Sequence, residues 1–74
     1  MASLRLLSGR EVCRIPERHA FVAVRQRGSH IVMQRQIPGS TVTVPVPDHK
    51  ELKTGTLMSI IRQSAVPRGE FEAR

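Results

Sequence analysis

Gly28, Ser29 and His30 follow one another between two stretches rich in apolar and β-branched residues. Glycine lets a chain reverse where a side chain would clash, and a histidine at the mouth of such a turn faces water. Imidazole is the side chain whose ordinary titration range lets it both take and give a proton near neutrality. Arg25 and Arg27 come just before the turn and Arg35 just after it. Their guanidinium groups offer flat donor forks that suit phosphate. These residue types in this order describe a proton-transfer group at the surface of a small RNA-binding fold.

Composition agrees with a polyanionic partner. The 74 residues carry a formal net charge of +6. The charge is uneven: residues 1–36 hold seven arginines against two acids, whereas residues 37–74 hold five basic and four acidic residues. Arginine outnumbers lysine ten to two. Nucleic acid is the obvious partner for such a chain, and an acidic protein is the alternative. One domain of this size buries only about 60–65% of the surface its unfolded chain exposes, so its stability margin is thin. With two Phe, no Trp and no Tyr, the core has to be aliphatic. A lone Cys13 rules out an internal disulfide and a four-cysteine zinc site, and it fits a reducing cytoplasm. No metal or small-molecule cofactor is called for. No signal peptide is expected, and no apolar run is long enough to cross a bilayer.

The elements that position these groups follow from local pattern. Residues 1–7 read as a loose lead-in to a single domain spanning 1–74. Ser8 and Glu11 have the spacing of a capping box, in which each side chain satisfies the other residue's backbone N–H. The helix that follows puts Val12, Ile15 and His19 on one face, and His19 near the terminal carbonyls. Pro16 removes a hydrogen bond and crowds the preceding turn, so that helix is kinked or cut short there. Residues 21–25 and 30–35 read as strands around the Gly28 turn. Pro38-Gly39 supplies a second turn. Residues 41–46 form the cleanest strand, with Val42, Val44 and Val46 alternating with Thr41, Thr43 and Pro45. Pro45 and Pro47 put it at a sheet edge. A polar loop, residues 47–55, leads to a second helix from about Thr56 to Ser64, with Thr54 as its N-cap. Leu57, Ile60 and Ile61 form the stripe that lies on the sheet. Pro67 ends that helix, and a short terminal turn carries Phe71. The expected class is α+β, in the order α-β-β-β-α. Its three-stranded antiparallel sheet is covered by helices on one face and is open or shared with a partner on the other.

Several stretches together resemble the HicA-like (YcfA-like) toxins of bacterial toxin–antitoxin pairs. They are Ser8-Gly9-Arg10-Glu11-Val12, Val24-Arg25-Gln26-Arg27-Gly28-Ser29-His30, Val42-Thr43-Val44-Pro45, His49-Lys50-Glu51-Leu52-Lys53, and Gly55-Thr56-Leu57 through Ile60-Ile61-Arg62-Gln63. The resemblance implies a fold like that of double-stranded-RNA-binding domains, and a metal-independent ribonuclease (an mRNA interferase) acting on mRNA. It also implies a HicB-type antitoxin that covers the active surface. It maps the family's catalytic histidine onto His30. Two positions depart from the family pattern. Pro16 stands where a long aliphatic residue is usual, and Ala20 stands where glycine would end the helix in a left-handed conformation.

RNA cleaves when a 2′-OH attacks the adjacent phosphorus and expels the 5′-oxygen. The reaction needs a base, charge for the phosphorane and an acid for the leaving oxygen. His30 is the candidate base or acid. Arg25, Arg27 and Lys50 are candidates to hold the phosphate, with Gly28 and Ser29 bringing turn backbone or a hydroxyl close to it. His49, in the loop before the second helix, is a second candidate proton donor if that loop approaches the first hairpin. Lys50 and Lys53 precede the second helix, whose N-terminus favours anions. Two other functions fit the same shape: an RNA-binding module without catalysis, and a basic protein-interaction domain.

Overall fold

The computed structural model describes residues 3–73 and has the order α1 (Gly9–Glu17), β1 (Val22–Arg27), β2 (His30–Ile37), β3 (Ser40–Pro47), α2 (Thr54–Ser64), then a terminal 3₁₀ turn (Arg68–Phe71). The strands form one antiparallel sheet with β2 in the middle. This is an α+β arrangement consistent with the double-stranded-RNA-binding-domain-like fold.

Each boundary has a local cause. Ser8 caps α1 with the reciprocal box: Glu11 N–H donates to Ser8 Oγ, and Ser8 N–H donates to Glu11 Oε1. That bond is the main reason the Glu11 carboxyl titrates below its usual range. Pro16 lies inside α1, which continues through it and ends one residue later at Glu17. The carbonyl of Pro16 then accepts from the N–H groups of His19 (2.7 Å) and Phe21 (3.1 Å), which closes the helix end. Ala20 takes the left-handed conformation at φ 68°, in the place where glycine would be free of strain. At the first hairpin Arg27 pairs with His30 across the two-residue loop, and Gly28 has φ 58°. Glycine with positive φ at the first loop position suits the twist of a tight hairpin. At the second, Ile37 pairs with Ser40 and Gly39 takes φ 72° after Pro38. β3 is an edge strand, which is where Pro45 and Pro47 are tolerated.

Two expectations are corrected. The N-terminal segment is not loose from Ser3 onward. Leu4 forms an antiparallel bridge with Glu72, Arg5 N–H donates to Phe71 O (2.9 Å), and Leu52 N–H donates to Leu7 O (2.8 Å). Leu7 and Phe71 are both buried, so packing against the chain's far end orders the segment. Residues 1 and 2 of that stretch lie outside the described residues. Thr54 is also not the N-cap of α2. The cap is Lys53, whose extended backbone (ψ 150°) starts the helix with no side-chain capping bond.

Helices cover one sheet face. Met33, Val44 and Val46 point into the core with Val12, Leu57 and Ile60, all at 2% exposure or less. Gly9 lets α1 approach the end of β3 closely: a Cβ there would run into the Pro47 carbonyl, and its N–H donates to His49 O.

Candidate functional site

Side chains alternate across a strand. His30, Val32, Gln34 and Gln36 therefore share the face of β2 turned away from the core, and Pro45, Thr43 and Thr41 of β3 sit opposite the last three. Counting back from the hairpin, Arg27 faces His30 and Arg25 faces Val32. Directly opposed residues in an antiparallel pair stand about 5 Å apart at Cβ. Val22 and Ala23 pair with Gln34 and Met33, so one residue too many lies between Ala23 and Arg25. That residue is Val24, in a β-bulge. Without the extra residue, the register that pairs Ala23 with Met33 would turn Arg25 and Arg27 towards the helix-covered face. The bulge lets β1 keep its packing and still present both arginines beside His30.

The result is a shallow depression of about 400 Å³ on the open face, lined by Arg25, Arg27, His30, Val32, Thr43 and Pro45. His30 and both arginines are exposed. Arg25, at the edge, also borders a separate cleft between α1 and β1, beside Arg10, Cys13 and Val24. The Cys13 thiol in that region is buried, which together with nearby Glu17 pushes it up to about 11.

The hairpin that carries His30 is anchored by a residue that the local sequence pattern did not mark. Asp48 follows β3. Its N–H donates to Ser29 O (2.6 Å). Its carboxylate accepts from Arg10 Nε (3.2 Å) and Nη2 (3.3 Å), and from Gln26 Nε2 (3.3 Å), which also donates to Gly28 O (3.2 Å). Asp48 thereby ties the hairpin turn and β1 to the start of α1. Its bond to Arg10 is the first cause holding the Asp48 carboxyl below its ordinary range. No motif announces this arrangement, because its partners lie 38 and 22 residues away.

The structure gathers some of the sequence candidates and separates others. His30, Arg25 and Arg27 come together, next to the turn formed by Gly28 and Ser29. The loop carrying His49 does meet the first hairpin, through the Asp48–Ser29 bond, but the His49 side chain does not line the depression. Lys50 and Lys53 are exposed further along that loop and do not line it either. Arg35 is a correction: it lies one residue out of phase with His30 and so faces the other side of the sheet. There its guanidinium sits 5.7 Å from the Phe21 ring centroid, away from the depression that holds His30. His19 is corrected as well. Its Nε2 lies 3.2 Å from Glu70 Oε1, so it joins the end of α1 to the terminal 3₁₀ turn instead of meeting helix carbonyls. Among the described residues no helix is long and apolar enough to cross a membrane.

Fold and site together define a class: a small basic α+β domain, its fold consistent with that of double-stranded-RNA-binding domains, with a histidine and two arginines on its open sheet face. A family model described as the HicA toxin of bacterial toxin–antitoxin matches residues 9–66. The chain belongs to this family; it is the toxin member of a toxin–antitoxin pair, which implies an antitoxin partner. No curated protein and no solved structure matches it.

Proposed function

We propose that this toxin is a metal-independent endoribonuclease that cuts mRNA in the cytoplasm and is neutralised by a HicB-type antitoxin lying over the open sheet face. The observation that carries the reading is the exposed His30 in one depression with Arg25 and Arg27. His30 takes the proton of the attacking 2′-OH. Arg25 and Arg27 hold the phosphate and offset the charge that builds on the phosphorane. The 5′-oxygen leaves as a hydroxyl, with a 2′,3′-cyclic phosphate on the other fragment. Once charged, His30 can return its proton to that oxygen, so a single imidazole can serve both halves of the step. His49, outside the depression, is not assigned the acid's role. Gly28 and Ser29 give the RNA backbone close access to the turn, while Lys50 and Lys53 extend the positive track beyond it.

The test is degradation of a long unstructured RNA in EDTA by the wild-type protein and by His30→Ala. General acid–base catalysis contributes about 10²–10⁴-fold, so the variant should lose at least about a hundredfold in rate while keeping its circular dichroism spectrum and melting temperature. Equal cleavage by the variant removes His30 from the mechanism. RNA binding that weakens steeply between ~50 and ~200 mM salt, with no cleavage by the wild type, would make the protein a binding module instead.

A further inference from the structure

We infer that the half of the depression beyond His30 is a subsite for the base of the nucleotide being cut, and that it favours bases with a ring carbonyl over adenine. This rests on the ribonuclease reading for its orientation. The depression has two different ends. Arg25, Arg27 and His30 supply charge, whereas Val32, Pro45 and Thr43 supply an apolar floor with one hydroxyl. Val32 faces away from the core yet is only 6% exposed, because Arg25 and Pro45 flank it on the neighbouring strands. The volume, about 400 Å³, lies within the range of small-ligand sites.

Covalent connectivity places the base. The sugar that presents its 2′-OH to His30 carries the base on the adjacent carbon, so base and imidazole lie within a sugar's breadth of each other. Along β2 two residues advance about 7 Å, which sets the base over Val32. An aliphatic floor accepts any planar ring. Discrimination comes from Thr43. Its Oγ1 accepts from Gln34 Nε2 at 3.3 Å, and its own hydrogen has no acceptor among the described residues. Thr43 therefore offers a donor to the depression. Uracil, cytosine and guanine each project a carbonyl oxygen beyond the ring to receive it; adenine accepts only at ring nitrogens, which are set further back, and the group it projects is an amino donor that cannot accept.

The experiment reads binding separately from cutting. Isotope-labelled protein is titrated with inorganic phosphate, uridine 3′-monophosphate and adenosine 3′-monophosphate, following backbone amide shifts. Phosphate alone should move Arg25, Arg27 and His30. The uridine nucleotide should move Val32 and Thr43 as well, and bind about fivefold more tightly than the adenosine nucleotide, the worth of one neutral hydrogen bond. Thr43→Val keeps the shape and removes the hydroxyl, so it should abolish that fivefold difference. Nucleotide shifts no wider than those of phosphate, or the same uridine preference in Thr43→Val, would overturn the subsite. Cleavage of oligodeoxynucleotides carrying one ribonucleotide separates the two claims. Equal cutting at uridine and adenosine by wild type sinks the subsite and leaves the nuclease standing. Base-selective binding with no cutting by any form keeps the subsite and sinks the nuclease.

Discussion

The two faces of this sheet come from the same three strands and carry opposite chemistry. On the covered face Met33, Val44 and Val46 are fully buried under two helices. On the open face His30, Arg25 and Arg27 stand in water one residue out of phase with them. The difference teaches that strand parity, not nearness in sequence, decides which cations join the site. Arg35 is five residues from His30 and falls on the wrong face, while Arg25 is also five residues away and reaches the right one. The Val24 bulge makes that possible.

Mutations can break this comparison. The largest effect on the covered face should come from Met33→Ala, which leaves a cavity at a fully buried site. Such truncations cost about 2–5 kcal/mol. On a domain with a thin margin that means loss of the cooperative melting transition near room temperature. A well-folded Met33→Ala protein with unchanged melting would show that the covered face does not hold the fold.

Arginine substitutions sharpen the contrast. If the proposed ribonuclease reading holds, Arg27→Ala should lower RNA cleavage about tenfold or more, with little change in melting, because that reading places its charge on the reacting phosphate. Arg35→Ala should leave cleavage unchanged and cost roughly 0.5–1 kcal/mol of stability through its loss from the Phe21 ring. The reverse pattern would place the phosphate on the covered side.

Asp48 links the faces, since it holds the hairpin to α1. Its carboxyl is depressed in the folded state, chiefly by the bond to Arg10. The stabilisation is therefore fully present above the unfolded carboxylate pKa of about 4 and is lost as pH falls through the lower folded value. Melting followed from pH 7 downwards should decline in that acid window. Asp48→Asn should start lower at neutral pH and decline less. Parallel curves would show that the Asp48 charge contributes nothing to the hairpin.

A change of opposite sign is expected at the end of α2, outside the site. Ala65 ends α2 in the left-handed conformation, at φ 59°. Ala65→Gly should relieve about 1 kcal/mol of strain. For a domain of this size that is about 4–8 °C in melting temperature, with cleavage unchanged. A lower melting temperature would mean that the methyl group contributes more than the strain costs.

Much of the fold was legible because its causes are local. The Ser8–Glu11 box, the Gly28 and Pro38-Gly39 turns and the valine alternation through Val46 each act within a few residues, and each appears where the pattern puts it. His30 was legible as a surface histidine for the same reason, since a two-residue turn leaves its neighbour exposed. The sequence by itself thus determined the element order, the central hairpin and the open placement of the imidazole. Only tertiary structure decided the rest: the Val24 bulge that brings two arginines to His30, the turning of Arg35 onto Phe21, the Asp48 anchor, and the pairing of Leu4 with Glu72. Each of these depends on partners distant along the chain or on the register of a neighbouring strand. Such contacts form only once packing has fixed which residues meet.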